Sequence, residues 1–300
     1  DRALFGSFPT QESITELENM GVRYFVNLTY DYERKITPYN TKYNYISFPI
    51  ADHQIPRDRL AFAIFIIQLS DIIYGLDPKE LIYIHCKGGH GRVGIVVASL
   101  LCHIFDMTPS EALEHTTMYH NNRKAMREKW RKIGSPQTTY QKNFVHQLCQ
   151  PINFYRAYKM GRTAGFSNLS HYNVNIKEFG VFPTSEAALQ AYKAPNDKNY
   201  IRNQTRARTP LASKVMAQNI QQRSDWVQVR EQIMYDILRQ KFDQHDNIRI
   251  ALMNTGLSLI VQRIKRDNIW GDENGHGLNL LGKLLTKLRN QYYREMIPIS

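Results

Sequence analysis

A short apolar stretch, LIYI (Leu81–Ile84), runs directly into the loop HCKGGHGRVG and constrains this chain more than any other segment. The apolar stretch predicts a buried strand, and the residues from Gly94 onward predict a buried helix. The loop glycines Gly88, Gly89 and Gly91 let successive backbone N–H groups turn inward and form an anion-binding nest at the helix N-terminus. This order predicts an α/β unit with an anion site at the loop.

Two reactive side chains flank the loop. Cys86 and Arg92 are separated by five residues. The nest and the helix dipole favour the thiolate form of Cys86, which is the form that attacks phosphorus. Arg92 is placed to hold two phosphate oxygens and to stabilise the transition state. We therefore expect a phosphate site in which Cys86 is the nucleophile.

With these residues the sequence resembles the cysteine-dependent protein-tyrosine and dual-specificity phosphatases, whose signature is HCx5R, over most of residues 1–148. LFGSFP and GVRYFVNLT resemble the N-terminal strands of that family. The segment FPIADHQIP resembles the segment of the general acid, which implies that Asp52 protonates the leaving oxygen. GSPQTTYQ is similar to the glutamine segment, so Gln137 or Gln141 is expected to orient the hydrolytic water.

The chain departs from this family directly after the arginine. The family usually has Ser or Thr there, and this chain has Val93. The missing hydroxyl donates to the sulfur and helps it leave in the second step. Two alternatives follow: slow turnover, or a pocket that chiefly binds phosphate.

Hydrophobic periodicity indicates an α/β domain with a largely parallel sheet in residues 1–149, which is followed by a mainly helical α+β domain in residues 150–300. In the first domain it predicts a helix over Pro109–His120, followed by the basic stretch Arg123–Lys132 as a connection. In the second domain the residues Gly161–Asn175 are predicted to be rich in turns, and Ser224 or Asp225 is expected to cap the helix that starts at Trp226.

The two halves also differ in charge. Residues 1–150 hold 17 basic and 15 acidic residues, whereas residues 151–300 hold 22 and 12, so the second half carries a net charge of +10. This asymmetry predicts an anionic partner for the second domain, although solubility alone is an alternative.

The second half places polar side chains within apolar patterns. FPTSEAALQAYK puts Glu186, Gln190 and Lys193 on one helix face, because residues four and three apart are neighbours on a helix. DNIWGDENGHGLNLLG is a glycine-punctuated loop that leads into a helix, with Trp270 exposed enough to stack on a planar ring. Taken singly, each of these features also has a structural explanation: a helix cap, a salt bridge or a tryptophan of the core.

Residues 152–293 resemble the NADAR domain, which is named for its association with NAD and ADP-ribose metabolism. The resemblance is carried by segments that occur in this order along the chain: INFY, GFSNLS, PTSE…QAYK, RSDW, KF, LMNTG and DNIWGDENGHGLNLLG. The resemblance implies N-glycosidase chemistry. One branch of the family cleaves riboflavin-pathway intermediates, and another removes ADP-ribose from guanine bases. Cleavage at the anomeric carbon passes through an oxocarbenium-like state that a carboxylate stabilises.

This resemblance implies a role for each candidate residue. Glu186 is expected to stabilise the charge or activate the attacking group, and Asp267 to contact ribose or act as a second acid. A lysine amine, from Lys193 or alternatively Lys177, is a candidate to form a Schiff base with the opened sugar. Trp270 is expected to stack on the base. Four further residues are expected to shape the diphosphate or ribose pocket: Gly271, Gly275, Gly277 and Asn279.

The remaining features bear on partners and compartment. Three cysteines without a spaced pair predict a reducing, intracellular location, cytoplasmic or nuclear. The longest apolar stretch is half the length of a bilayer span, so no membrane partner is expected. We expect no metal and no cofactor, because no carboxylate or thiol cluster accompanies the histidines. The basic tract RNQTRART is either a contact for a nucleic-acid backbone or diphosphate, or a solvated loop.

The sequence thus predicts a bifunctional hydrolase: a cysteine-dependent phosphatase joined to an N-glycosidase. Its expected partners are a phosphorylated protein, nucleotide or RNA, and ADP-ribose or ADP-ribosylated nucleic acid. In the alternative interpretation, a phosphate-binding module is attached to a domain that binds ADP-ribose or nucleic acid.

Overall fold

The structure, a computed structural model, describes residues 2–124, 126–155, 163–265, 267–273 and 275–297. The chain divides into two compact units. Unit 1 comprises residues 1–150, 256–258 and 293–300, and unit 2 comprises residues 151–255 and 259–292. Within the described ranges, no helix is long and apolar enough to cross a membrane.

Unit 1 has a four-stranded parallel sheet in the order β1-β4-β2-β3. This confirms the predicted α/β class. The strands and helices are β1 (Ala3–Gly6), α1 (Gln11–Asn19), β2 (Val22–Asn27), β3 (Asn44–Ser47), α2 (Arg59–Gly75), β4 (Leu81–His85), α3 (Arg92–Phe105), α4 (Pro109–Asn121), α5 (Glu128–Ile133) and α6 (Thr139–Cys149).

The central strand of this sheet carries the phosphate loop at its carboxyl end. β4 is hydrogen-bonded to both β1 and β2, and its apolar residues Ile82 and Ile84 are buried. The loop then leads into α3, whose first residue is Arg92 and whose N-cap is Gly91. Because β4 lies inside the sheet and α3 is buried from Arg92 to Val96, the loop between them is held at both ends.

Unit 2 is mainly helical, as predicted, with two small pairs of strands. β5 (Ile152–Phe154) pairs in parallel with β8 (Ile260–Gln262), and β6 (Val174–Ile176) pairs antiparallel with β7 (Gly180–Phe182). Phe154, Phe166 and Phe242 belong to its buried core. The helices are α7 (Ser185–Ala191), α8 (Lys198–Thr205), α9 (Pro210–Met216), α10 (Trp226–Gln244), α11 (Asp246–Met253) and α12 (Leu280–Glu295).

Two basic segments differ from their sequence interpretation. The stretch 123–132, predicted only as a connection, includes most of the short helix α5. The tract RNQTRART lies partly in α8, and its arginines Arg202, Arg206 and Arg208 are all exposed. Residues 161 and 162, at the start of the predicted turn-rich stretch, lie outside the described residues.

Candidate active sites

The phosphate loop of unit 1 depends on glycines at positions where its backbone meets neighbouring chain. Gly89 has φ +69°, and an added Cβ there would lie 2.5 Å from the carbonyl carbon of Gly6. An added Cβ at Gly91 would lie 2.9 Å from the side-chain amide of Gln141. Gly88 is exposed, and an added Cβ there would meet only the ring of His90. The loop therefore folds tightly over Cys86, which is 2% exposed.

Arg92 is buried beside the nucleophile and paired with two carboxylates. Its guanidinium contacts Glu33 through two hydrogen bonds, and its Nη2 lies 3.1 Å from Asp52 Oδ1. Burial disfavours the charged guanidinium. The hydrogen bond to Glu33 and the nearby charge of Cys86 outweigh that effect and raise the pKa of Arg92. The arrangement keeps a permanent cation beside the thiol.

Asp52, the expected general acid, lies where a leaving group can reach it. Its side chain is half exposed, while the Arg92 side chain that it contacts is 1% exposed. Its Oδ1 also accepts a hydrogen bond from the backbone N–H of His53, at 3.2 Å. The structure thus brings Cys86, Arg92 and Asp52 together. Asp52 retains an open side from which to donate a proton.

The two candidate glutamines differ in their surroundings. Gln141 is fully buried against the loop. Its Nε2 donates to the carbonyl of Gln54 at 3.1 Å, and its Oε1 accepts from the N–H of Thr138 at 3.2 Å. Gln137 is half-buried in the same segment. Gln141 therefore links the phosphate loop to the segment that carries Asp52.

The histidines of the loop are structural and uncharged at neutral pH. Burial lowers the pKa of His85 to about 3, and its Nε2 pairs with Tyr39 Oη at 2.7 Å. Burial and the charges of His120 and Arg123 lower the pKa of His90 to about 4. His90 Nδ1 pairs with His120 Nε2 at 2.8 Å. Within the described ranges, no group of three or more His, Cys, Asp or Glu side chains forms a metal site.

Val93 is fully buried at the second position of α3. Among the residues that the structure describes, no hydroxyl makes a recorded hydrogen bond to Cys86 Sγ, so none replaces the hydroxyl that Val93 lacks. A thiolate without this donor is a poorer leaving group. Val93 therefore leaves the sulfur of Cys86 without a hydroxyl donor from the position directly after Arg92.

A cavity of about 490 Å³ flanks the Asp52 segment. Phe48 and Ile55 give it an apolar surface, and Tyr30 and Tyr140 add aromatic rings. Its lining includes residues on both sides of Asp52 in the chain, so the cavity lies next to the segment that carries the candidate acid.

Unit 2 contains a cavity of about 380 Å³ that gathers four of the predicted site residues. Glu186 and Lys193 come from the α7 region, and Asp267 and Trp270 come from the loop before α12. Trp270 is half-buried, so one part of its ring packs on the core while another lines the cavity. Residues from two distant segments therefore line one cavity.

Glu186 is held in place by two neighbours. Its Oε1 accepts a hydrogen bond from Gln190 Nε2 at 2.7 Å, and Lys214 Nζ lies 3.7 Å away. The carboxylate is also nearly buried, at 5% exposure. Helix α7 begins at Ser185 with Thr184 as its N-cap, so Glu186 lies in the first turn, where the helix dipole favours negative charge. The two contacts therefore hold the Glu186 carboxylate in place, and the helix dipole favours its negative charge.

Lys193 is the better placed of the two candidate lysines. It lines the cavity, and its Nζ lies 5.6 Å from the centre of the Trp226 ring. Burial and the positive charge of Lys214 lower the pKa of Lys193, while Glu186 opposes the shift. A lowered pKa makes the neutral, nucleophilic amine more accessible. Lys177 is exposed in the turn between β6 and β7 and does not line this cavity.

The loop before α12 is shaped by its own polar groups. Asp267 Oδ1 accepts hydrogen bonds from the N–H groups of Ile269 and Trp270, at 3.3 and 3.0 Å, which fixes the position of Trp270. Gly271 and Gly277 pack backbone to backbone, and a Cβ at Gly277 would clash with the Gly271 carbonyl.

Asn279, expected to shape the ligand pocket, lies behind the cavity wall. Its Oδ1 accepts from the N–H of Gln262 at 3.0 Å, and its Nδ2 donates to the carbonyl of Ile260 at 2.9 Å. The cavity lining includes neither Asn279 nor the three loop glycines Gly271, Gly275 and Gly277. These residues position the strand and loop that form the wall.

Several lining residues were not singled out from the sequence. Gln262 lies in a segment without a periodic or charged signal, and Lys214 and Arg230 resemble ordinary surface cations in the sequence. Asn168 belongs to the GFSNLS motif, which was a usable signal. Trp226 belongs to the RSDW motif, and this motif was a usable signal. The cavity is therefore richer in amides and cations than the sequence indicated.

Comparison with known proteins finds relatives for each unit and for the whole chain. Residues 3–145 match the family described as "Swiss Army Knife protein, DSP-PTPase phosphatase domain", and residues 153–292 match the NADAR domain. Over 297 residues the chain is 33% identical to "Putative tyrosine phosphatase 197R" of Invertebrate iridescent virus 6, which covers 98% of this chain and 90% of that protein.

Two further matches concern the second half. N-glycosidase YbiA of Shigella sonnei (strain Ss046) is 36% identical over 143 residues, covering 47% of this chain and 87% of the relative. The NMR structure of the E. coli protein YbiA has 32% sequence identity and a TM-score of 0.46, covering 50% of this chain and 89% of that one.

Proposed function

Because the chain belongs to the family that joins a DSP-PTPase phosphatase domain to a NADAR domain, we propose that it is a bifunctional hydrolase. Unit 1 hydrolyses phosphomonoesters through Cys86. Unit 2 cleaves the N-glycosidic bond of ADP-ribosylated guanine or a related nucleotide. The observation that supports the proposal is that Arg92 contacts Asp52 in unit 1 and that Glu186 and Asp267 line one cavity in unit 2.

In unit 1 the thiolate of Cys86 attacks phosphorus and forms a phosphocysteine. The bond from phosphorus to the ester oxygen breaks as Asp52 donates a proton to that oxygen. Arg92 exchanges its contact with Asp52 for phosphate oxygens and stabilises the transition state. Water, oriented by Gln137 or Gln141, then attacks the phosphocysteine, which releases phosphate and restores the thiolate.

In unit 2 the bond between the anomeric carbon and the base nitrogen breaks, and its electron pair goes to the base. Glu186 stabilises the oxocarbenium-like state or activates the attacking water, while Asp267 contacts the ribose or supplies a proton. In the alternative route Lys193 attacks the opened sugar and forms a Schiff base, which water later hydrolyses. The lowered pKa of Lys193 supports this route for Lys193 over Lys177.

Two substitutions in the full chain separate the activities. Cys86→Ser is expected to abolish phosphate release from an aryl phosphate and to leave the release of guanosine from ADP-ribosylated guanosine unchanged. Glu186→Gln is expected to do the reverse. Cys102→Ser, at another buried cysteine, and Glu231→Gln, at an exposed glutamate, are the matched controls. If either substitution left its assigned reaction intact, that assignment would be wrong.

A second candidate function for unit 1 rests on Val93. Without a hydroxyl donor to the sulfur, unit 1 would capture phosphate groups and turn them over poorly, as a binding module. Sustained phosphate release that is lost in Cys86→Ser excludes this candidate. A single equivalent of released alcohol followed by no further reaction supports it.

A further inference from the structure

The cavity of unit 2 has an unusual concentration of unpaired polar atoms in its wall. Within the described parts of the chain, nine buried side-chain nitrogen or oxygen atoms lack a hydrogen-bond partner. Four of the nine belong to residues that line this cavity: Asn168 Oδ1, Gln190 Oε1, Gln262 Oε1 and Arg230 Nε. An unpaired buried polar group costs about 1–3 kcal/mol, so their clustering indicates that a ligand supplies the missing partners.

The orientation of the Gln190 amide is fixed by its neighbour. A carboxylate can only accept hydrogen bonds, so the group that faces Glu186 Oε1 at 2.7 Å must be the Gln190 N–H. The Gln190 oxygen is therefore an acceptor without a donor, directly beside the candidate catalytic carboxylate. Gln190 is 6% exposed, so water has little access to it.

Gln262 and Asn168 are held by buried contacts behind the wall. The N–H of Gln262 donates to Asn279 Oδ1 at 3.0 Å, and its carbonyl accepts from the N–H of Asp272 at 2.8 Å. Asn168, which is 5% exposed, accepts through its carbonyl from the N–H of Glu186 at 3.0 Å. Both side chains therefore project from backbone that is already fixed.

A buried lysine holds the turn in which Asn168 lies. Lys241 Nζ donates to the carbonyl of Ser167 at 3.0 Å and to Ser170 Oγ at 2.8 Å. Since Lys241 is fully buried and does not line the cavity, its contacts serve the turn. The wall is thus built on three fixed supports: the 167–170 turn, α7 and β8.

The wall divides chemically into two parts. Lys193, Lys214 and Arg230 are cations suited to phosphate oxygens, whereas the amides of Asn168, Gln190 and Gln262 are neutral. An unpaired amide oxygen accepts a hydrogen bond, and phosphate oxygens at neutral pH have few to donate. The partner of the amides must therefore be an uncharged N–H or O–H group on the same ligand.

We propose that Asn168, Gln190 and Gln262 are specificity-determining residues that accept hydrogen bonds from the uncharged donors of a ribonucleotide. These donors are the amino group of the base or the 2′-hydroxyl of the ribose. The proposal rests on the function proposed for unit 2, because it assigns these residues to the same cavity. It goes beyond that function in naming the groups that select the ligand.

Calorimetric binding of three nucleotides to the full chain tests the proposal. The probes are GMP, IMP and dGMP, which share a purine and a phosphate. IMP lacks the amino group of the base, and dGMP lacks the 2′-hydroxyl. GMP is expected to bind about tenfold more tightly than one of the two analogues, since a lost hydrogen bond to a buried acceptor costs about 1–3 kcal/mol. Weaker binding of IMP would show that the amides contact the amino group of the base. Weaker binding of dGMP would show that they contact the 2′-hydroxyl of the ribose.

Variants identify the acceptors. Gln262→Met and Gln190→Met each replace an amide acceptor with a side chain of similar size. Each variant is expected to bind GMP about tenfold more weakly and to show a smaller difference in affinity between GMP and the weaker analogue. Gln221→Met is the matched control, because Gln221 is exposed and does not line the cavity. Thermal melting of each variant shows whether unit 2 remains folded.

Three results overturn the proposal: no measurable binding of GMP, equal affinity for all three nucleotides, or an equal effect of Gln221→Met on the affinity for GMP. The comparison of nucleotides in the unmodified chain decides the question even if a variant does not fold. Binding requires no bond cleavage, so its outcome is separate from the proposed function. If the chain distinguishes the three nucleotides but has no glycosidase activity, the proposed activity is wrong and the assignment of the three amides stands.

Discussion

Replacing Val93 with threonine tests the central departure of unit 1 from its family. Val93 is fully buried at the second position of α3, directly after Arg92, so the substitution exchanges one methyl group for a hydroxyl of nearly equal size. If the hydroxyl reaches Cys86 Sγ, it donates to the thiolate as the phosphocysteine breaks. A hydrogen bond to a charged group contributes about 1.5–3 kcal/mol. That corresponds to about a 10- to 150-fold faster second step.

Rapid mixing with an aryl phosphate measures both steps. The unmodified chain is expected to release one equivalent of the alcohol quickly and then to turn over slowly, because the phosphocysteine accumulates. In Val93→Thr the slow phase is expected to accelerate and the burst to shrink. Val96→Thr adds a hydroxyl at another fully buried position of α3 and controls for its effect on stability. An unchanged slow phase in a folded Val93→Thr variant would refute the reasoning.

Three further predictions concern charge. Glu33→Gln is expected to lower kcat/KM for an aryl phosphate by about tenfold, since it removes a carboxylate that is paired with the buried Arg92. The control Asp31→Asn, at an exposed residue nearby in the chain, should leave kcat/KM unchanged. Burial lowers the pKa of Lys241 to about 7, whereas an unfolded lysine has 10.5, so the unfolded state binds more protons between these values and stability rises with pH there. The free energy of unfolding of Lys241→Met, measured in urea from pH 7 to 9.5, should not show this rise. An equal rise in the variant and in the unmodified chain would contradict the prediction. Because burial lowers the pKa of His85 to about 3 from 6.5, stability is expected to fall as the pH drops below 6.5, and urea unfolding of His85→Gln should show a smaller fall.

The sequence predicted the elements of the fold whose pattern is long or strongly apolar. The apolar run before Cys86 is β4, and the predicted helix from Pro109 is α4, with boundaries within two residues of those expected. The helix EKWRKI (Glu128–Ile133) was missed because six largely charged residues are too few to show a period. The side chain of Asp225 also differs from expectation, since it pairs with Arg223 and makes no capping hydrogen bond to α10.

The site could be predicted only where its residues are close in sequence or share a motif. Cys86 and Arg92 lie on one loop, so their meeting follows from a single strand, loop and helix. Glu33 lies 59 residues before Arg92 in a segment of mixed charges, and nothing local distinguishes it from its neighbours. The amide oxygens of Asn168 and Gln262 matter because tertiary structure leaves them without partners, and a sequence carries no signal of that.

The charge asymmetry of the chain leads to a final prediction about salt. In unit 1 the catalytic cation is buried and balanced by two carboxylates, so its effect on a phosphate is local. In unit 2 the excess charge includes exposed arginines on and after α8, Arg202, Arg206 and Arg208, which do not line the cavity. Exposed charges act on approaching ligands over about 8–10 Å and are screened by salt. Raising the ionic strength is therefore expected to lower kcat/KM of the glycosidase reaction more steeply than that of the phosphatase reaction. Replacing the three arginines with glutamine should reduce the salt dependence of kcat/KM for the glycosidase reaction. If the substitution leaves this dependence unchanged, the cations that line the cavity are its source.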